Sequence, residues 1–507
     1  MNGEKHYSLG RAKRSLVHFG IGKAASAMAG LGCLVIAVRV LDPGDYGVYV
    51  ALIAMLEIFF LVTGFGLSNM AQRYVAEYRV KASPARFQRF IGSLLAGRFA
   101  LASLFSLLAY LGGGRLLPML NLERAQESLA VFAVLLVFGT LVRFLDELFA
   151  SLLMQGSTQG LLFGRNLLKL AAMSASLTGG GLDLPAMLLI ETATHVLSVL
   201  AGCFLLWRHL RAFHSSTGNG DEAYANPRLW PVSLRFFAVQ VFGQVYGDNA
   251  LKLVVTRVLG ASQTAVFGFA QSITDMLRNY LPAHMLIGWV RPMLVARYVE
   301  HGDIGELAML TNLILKLNLF IVAPVIAYFA FQGDVLGALV SSGKYPASGL
   351  MLACLTLLIA FQSMHLLLSL VTITLERANA NIVATVLSCL GLPLAFVLAP
   401  RFGVVGVAWS LIASEIVWVG TVWVLLRLGG IRIHAEWLGN TKVAAASAVA
   451  FLVLRDFGTV GHSWLACVLN LLLAGVVFLV FAALMKPFTG EERAVLGKLL
   501  PLRWFMW

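Results

Sequence analysis

The sequence predicts an all-α polytopic membrane protein of about 14 transmembrane helices, in two six-helix lobes plus a C-terminal helix pair. Three observations carry this. The 507 residues are 59% hydrophobic and only 12% charged, about half the charge of an ordinary globular chain. Apolar stretches of about 18 or more residues, enough to cross roughly 30 Å of hydrocarbon as helices, recur along the chain. Landmark residues also repeat at a near-constant offset. A membrane β-barrel would instead show period-two alternation in segments of about ten residues.

In chain order, a basic head leads into an apolar run that contains Lys23 and continues to Val40. Ala25-Ser26-Ala27 resembles a signal-peptide cleavage site, but the run beyond it favours a retained first span. AVRVLDPGDYGVYVAL, residues 37 to 52, then reads as an outer turn. Arg39 snorkels to the interface, Asp42-Pro43-Gly44-Asp45 makes the bend, and Tyr46 opens the second span in the aromatic belt. The segment 68–83, SNMAQRYVAEYRVKAS, opens on a Ser/Asn cap signal and predicts a short interfacial helix.

The fourteen predicted spans are 15–38, 46–67, 90–112, 128–151, 158–178, 184–206 and 233–258, then 264–288, 307–331, 348–371, 378–399, 403–426, 441–457 and 464–485. Charges interrupt the fourth and seventh, which leaves twelve or thirteen open. The domains follow: an N-terminal lobe over 1–206, a polar linker over 207–232, a C-terminal lobe over 233–427, and the last pair with a tail over 428–507.

Loop charge orients the chain. Lys5, Arg11, Arg73, Arg79, Lys81, Arg208, Arg211, Arg291, Arg427 and Lys486 belong to the more basic side, against Arg115, Arg124, Lys344 and Arg401 on the other. The excess over all loops is about threefold and predicts cytoplasmic termini. Placement in short loops also assigns the net charge of +13 to topology and anionic lipid rather than to nucleic acid. Outer loops are short, the longest about 17 residues, which argues against an external catalytic domain.

Arg39-Val40-Leu41 is echoed by Arg257-Val258-Leu259, Arg73-Tyr74-Val75 by Arg297-Tyr298-Val299, and MQGSTQG at 154–160 holds the place of TLERANA at 374–380. The three offsets predict duplication of a six-span unit. Six is even, so the copies share one orientation about an axis along the membrane normal, the parallel pseudo-twofold repeat of a rocking transporter.

Ionisable groups inside spans cost roughly 2.5–3.5 kcal/mol each on insertion scales, so they face a cavity or a partner. Arg143/Glu147, Arg165/Lys169, Glu191/His195 and Asp248/Lys252 are spaced by four, each pair on one helix face. Arg143/Glu147 and Asp248/Lys252 read equally as internal ion pairs that orient helices. Glu191/His195 reads as a satisfied core pair or a proton relay. Arg165 and Lys169, two cations with no partner in their own helix, point to an anionic ligand, with Lys23 next. Asp248 and Asp275 are candidate proton or sodium coupling groups, and Glu57, Asp146, Arg278, Lys316 and Glu415 are further intramembrane candidates. The five cysteines are isolated in apolar spans, so neither a disulfide framework nor a metal site is expected. No GxxxxGK[ST], HExxH or GxSxG occurs, so no ATP loop, hydrolytic metal or nucleophile is visible, and neither enzyme activity nor a cofactor is expected.

The run GKAASAMAGLGCLVIAVRVLDPGDYGVYVAL, continuing through TGFGLSNMAQRYVAEY, resembles the polysaccharide transporter branch of the multidrug/oligosaccharidyl-lipid/polysaccharide exporter superfamily. Its best-known members are Wzx-type O-antigen flippases. In that family an Arg-x-Leu exit and acidic turn close the first helix and Tyr-Gly opens the second. The match covers the first hundred residues, and the rest matches in topology and repeat.

The resemblance implies fourteen helices in two lobes around a cavity. It also implies a cargo, undecaprenyl-pyrophosphate-linked oligosaccharide (an O-antigen or exopolysaccharide repeat unit), moved from inner to outer leaflet of a bacterial inner membrane by alternating access. A cationic cavity would receive the pyrophosphate, with coupling to a proton, sodium or potential gradient. Partners would be polymerase and glycosyltransferase machinery. On this reading Lys23, Arg143, Arg165, Lys169, Lys252 and Arg278 are the substrate-binding candidates, and Glu57, Asp146, Asp248 and Asp275 the ion-coupling ones. A related exporter of a lipid-linked peptidoglycan precursor or of cationic drugs is the alternative. A drug exporter would be expected to have an acidic cavity, and a polymerase or ligase a large outer loop with catalytic Arg or His.

Overall fold

The computed structural model describes residues 9–152, 154–179, 181–212, 224, 229–284, 304–375, 377–431, 436–459 and 461–499. The echo Arg297-Tyr298-Val299, the basic residues Lys5, Arg228, Arg291, Arg432 and Arg503, and most of the expected linker lie outside these residues. Every regular element described is a helix. By contacts the chain divides into two compact units, Met1–Gln244 with Gly260–Ala265, and Val245–Leu259 with Val266–Trp507.

The first unit holds α1 (Leu9–Val40), α2 (Pro43–Val62), α3 (Leu67–Lys81), α4 (Pro84–Met119), α5 (Leu129–Ser151), α6 (Gln155–Gly179), α7 (Leu184–Ala212) and α8 (Leu229–Val245). The bend between α1 and α2 is built as its residue types require. The Asp42 side chain accepts from the Gly44 N–H at 2.9 Å, and Pro43, with no N–H to satisfy, occupies the first turn. Arg124 then bridges Asp42 at 3.3 Å and Asp45 at 2.8 Å, tying this bend to the loop after α4. Gly47, of the Tyr-Gly pair, has the Ala261 carbonyl lying where a Cβ would be. Only hydrogen fits there.

The predicted interfacial helix is α3, with a different start. Its N-cap is Gly66, at φ 81° and without a side-chain cap, so Ser68 and Asn69 lie inside the helix instead of capping it. α3 buries Met70, Tyr74, Val75 and Tyr78 against Phe87, Ile91 and Leu94 of α4 and Phe144, Leu148 and Phe149 of α5. With lipid as solvent, such dense aromatic and aliphatic packing holds helices together through dispersion more than through exclusion of water.

The second unit holds α9 (Asp248–Leu259), most of α10 (Ala261–Arg278), α11 (Ile304–Ser341), α12 (Gly349–Thr374), α13 (Ala378–Ser388), α14 (Gly391–Leu428), α15 (Trp437–Phe457), α16 (Trp464–Met485) and α17 (Gly490–Leu499). Leu251 and Val255 of α9, Met351, Leu355 and Leu358 of α12, and Val407 and Leu411 of α14 share its main core. α15 and α16 dock on α11 through Ala323, Ala327, Ala446 and Ala450, with Phe478 filling between. Alanines let the backbones approach closely.

Ten helical segments among the described residues are long and apolar enough to cross a membrane. One of them, Asn379–Leu428, has 50 residues, about 75 Å if straight and so more than twice the hydrocarbon thickness. It does not run straight. Gly403 leaves helical geometry at φ 60°, ψ −147°. Trp418 donates to Thr385 at 3.3 Å, and Ser388 donates to the Ser414 carbonyl at 3.0 Å. Those pairings run antiparallel about a tip near residue 402, so the stretch is a hairpin corresponding to the two predicted spans 378–399 and 403–426. The predicted fifth span is helical throughout and the seventh and eighth in part, but all three fall outside the ten. α6 is one unbroken helix, but its Gly, Ser, Thr, Gln and Asn residues together with Arg165 and Lys169 leave it less apolar than the ten. The seventh breaks at Tyr246-Gly247 between α8 and α9, and the eighth ends its first helix at Arg278. Arg39 and Arg257, mates in the predicted repeat, occupy the last turns of α1 and α9.

Candidate functional site

In the first unit, α6 packs between α1 and α7 and presents its charges to neighbours on both sides. The Lys169 ammonium pairs with Glu191 of α7 and donates to the Tyr49 hydroxyl of α2 at 2.9 Å. That hydroxyl donates in turn to Glu191 at 2.8 Å, and the ammonium lies 5.5 Å from the Tyr49 ring centroid. All three side chains are buried or nearly so. His195 turns Nδ1 to the Glu191 backbone carbonyl at 2.7 Å, with the carboxylate at 3.6 Å. Lys169 is therefore saturated inside the protein, and the predicted unpartnered pair is half resolved.

Arg165, one turn away, behaves differently. Among the described residues it makes no ion pair or hydrogen bond. It lies in the fields of Arg143, Glu191, Asp146 and Glu57. Together with Asp146 it lines a small cavity closed by Val142, Leu145, Leu161, Leu162 and Ser198. Arg143 of α5 pairs with Glu57 of α2 and is half-exposed. The predicted partner of Arg143, Glu147, instead accepts from Gln72 of α3 at 3.4 Å. Lys23 lies on α1, partly exposed, one turn before Ser26. Asn166 of α6 donates to the Ser26 hydroxyl and carbonyl, each at 3.2 Å, which brings that part of α1 beside Arg165. Three cations (Arg143, Arg165, Lys169) thus face three carboxylates (Glu57, Asp146, Glu191).

The second unit assembles a separate cluster. Arg278 of α10 pairs with Asp275 at 2.9 Å and Asp248 at 3.7 Å, and donates to Gln362 of α12 at 3.2 Å. Asp248 also accepts from Gln271 at 3.1 Å. Lys252 donates to Asn249 at 3.4 Å rather than to Asp248, its predicted helix mate. It is close enough for its charge to act on Asp275. Two cations again meet two carboxylates.

Helix spacing identified which ionisable groups share a face, and the structure pairs most of them across helices instead. Tyr49 was legible only as part of the stretch that opens the second span. Arg98, fully buried, caps the carbonyl end of α2 by donating to the Phe60 carbonyl, with Phe60 and Phe144 over its guanidinium. Lys316, fully buried on α11, pairs with both Glu436 and Glu492 of α17. Among the described residues no group of three or more metal-ligating side chains is gathered.

The family described as Polysaccharide biosynthesis protein matches residues 13–285. Among solved structures, the chain is similar to one titled Lipid II flippase MurJ, inward closed conformation, at TM-score 0.69 and 17% identity. That match covers 93% of this chain and 99% of the other. An inward-facing multidrug resistance MATE family transporter of the MOP superfamily matches at TM-score 0.58 and 14% identity, over 80% of this chain and 95% of its own. A point mutant of the Vibrio cholerae MATE transporter VcmN matches at 0.51 and 12%, over 80% and 98%. These likenesses show a shared fold. No curated protein matches by sequence search.

Proposed function

The chain belongs to the polysaccharide biosynthesis protein family, and from that premise we propose that it is a flippase for undecaprenyl-pyrophosphate-linked oligosaccharide. It is a multi-pass membrane protein with the fold of flippases and exporters. The cargo is an O-antigen or exopolysaccharide repeat unit, carried by alternating access to the outer leaflet of a bacterial inner membrane. Both termini are cytoplasmic on this reading, as the loop cations favour.

The observation that carries the reading is Arg165. A guanidinium without an ion pair among the described residues, on a helix between two apolar spans, suits a diphosphate, which needs positive charge once dehydrated. Arg143 and Lys23 extend the cationic surface, and Lys169 holds α6 in register with α2 and α7. In the second unit Lys252 and Arg278 are the corresponding cations. Asp146 and Glu57 compete with the cargo for Arg165 and Arg143, so a cation or proton bound to either carboxylate frees a guanidinium for phosphate. Asp248 and Asp275 stand in the same relation to Arg278. Coupling of an ion to cargo then follows from charge balance alone.

The test is a gene deletion complemented by variants. The null strain is expected to accumulate lipid-linked oligosaccharide on the inner leaflet and to lose surface glycan. Arg165→Gln is expected to reduce display at least tenfold with membrane abundance intact. Accumulation of a peptidoglycan precursor, or of neither lipid, would overturn the cargo. Normal display with Arg165→Gln would remove that residue from the site.

A further inference from the structure

Beyond the paired cluster around Arg278, the second unit contains a histidine–carboxylate pair that none of the groups above uses. His365 Nδ1 of α12 lies 2.8 Å from Glu415 Oε2 of α14. The imidazole stacks on Trp418, centroids 3.6 Å apart and planes within 10°. Trp418 is 1% exposed and is anchored through Thr385. Glu415 is nearly buried, whereas the His365 side chain is 27% exposed. Its Nε2 has no hydrogen-bond partner among the described residues.

We infer that His365 and Glu415 form a proton-binding site of the second unit, which rests on the transporter reading for its role as a coupling site. With Nδ1–H donated to the carboxylate, the Nε2 lone pair is open. A proton delivered by water forms an N–H bond there as an O–H bond of the donor breaks, and no other bond changes. The pair passes from a net charge of −1 to neutrality. Inside a membrane span a net charge demands hydration and a neutral ion pair does not, so the two forms favour different surroundings. The face of Trp418 suits the imidazolium because its π quadrupole attracts a cation.

The neighbours of the pair are compatible with that traffic. Tyr246, at the break before α9, lies in the fields of Glu415 and of Cys389. One turn before His365 on α12, Gln362 accepts from Arg278, which holds Asp248 and Asp275, with Lys252 acting on the latter. His284 lies near the Ser363 hydroxyl at 3.4 Å and in the field of Arg278. The proton site therefore lies one helical turn along α12 from Gln362, the residue that ties this helix to the second unit's ion-paired cluster.

Protonated imidazole quenches a stacked indole, so Trp418 reports on the site. The full-length protein, reconstituted in liposomes, is titrated from about pH 8 to about pH 5, the range in which histidine changes charge, while tryptophan emission is followed. The wild type is expected to show a reversible quenching component that is absent from His365→Gln and from Trp418→Phe and retained in Trp409→Phe. Persistence of the component in either of the first two variants overturns the site, as does its absence from the wild type. Should His365→Gln fail to insert, Trp418→Phe alone decides. The titration needs no cargo, so a wrong cargo leaves it unchanged. Unaltered glycan display by His365→Gln, in a strain whose null mutant loses display, would overturn the coupling role.

Discussion

Lys169, Glu191 and Tyr49 allow a sharp separation of structural from cargo-binding cations. Lys169→Met removes the ammonium and strands the Glu191 carboxylate, which is 10% exposed and, among the described residues, keeps the Tyr49 hydroxyl and the neighbourhood of His195. Breaking a buried pair by removing one partner costs about 3–5 kcal/mol, whereas replacing both with apolar residues is often neutral or favourable. For a domain of about 250 residues each kcal/mol shifts Tm by roughly 2–4 °C, so the single variant should melt about 6–20 °C below wild type. Lys169→Met/Glu191→Met should recover most of that loss. Purified protein in detergent, followed by thermal scanning with both single variants and the double, closes the cycle. Surface glycan display by the same four proteins supplies the functional arm, and display should track stability. Unchanged melting with abolished display in Lys169→Met would refute the reasoning, because it would make the ammonium a cargo ligand rather than a brace.

Gly403→Ala should destabilise the hairpin by about 1–3 kcal/mol or more, since φ 60° with ψ −147° is a region essentially reserved for glycine and nothing crowds the added methyl. A lowered Tm without any new accessible cysteine would show that backbone strain alone is responsible. Lys316→Met should unseat α17 by stranding Glu492, which is 2% exposed. Limited proteolysis is expected to cut near 486–490 far faster than in wild type, and an unchanged rate would mean that Phe488 and the surrounding apolar contacts hold the helix without the ion pair.

Much of the architecture was legible because membrane helices are written in long apolar runs. The gap between the predicted spans 378–399 and 403–426 fell at the hairpin tip, and Asp42-Pro43-Gly44-Asp45 marked the first bend. The break at Tyr246-Gly247 was legible only as a span interrupted by charge: Asp248 and Lys252 follow it, but nothing in the run shows that a helix ends before them. Nor was the clamp of Arg124 on that first bend, which joins groups about 80 residues apart. The site divides along the same line. Periodicity tells which side chains share a face of one helix, so Arg165 and Lys169 were found together. It cannot tell which helix that face meets, and Glu191 and Tyr49 saturate only one of the two. His365 sat alone in an apolar run, and its meaning came from Glu415 and Trp418, 50 and more residues away.

The pairing changes what a cationic site means in this protein. Counted along the sequence, Lys23, Arg143, Arg165 and Lys169 form a basic stripe that would trap a diphosphate. Counted with their neighbours, Arg143 pairs with Glu57 and Lys169 with Glu191, while Arg165 makes no ion pair among the described residues but lies in the field of Asp146, so the cluster is balanced in charge. A transporter gains from that balance. A bare stripe of cations in a low dielectric would hold a pyrophosphate too tightly to release it, because Coulomb attraction at 4 Å rises several-fold from water to a protein interior. A cation already shared with a carboxylate binds the anion only by the difference between two attractions, which small movements of α5 against α6 can reverse. Asp146→Asn is the discriminating variant: it removes the competitor of Arg165 and should tighten cargo binding while slowing release, so that display falls although retention of lipid-linked oligosaccharide by the purified protein rises. A fall in both would place Asp146 among the groups that bind cargo and would end the argument from competition.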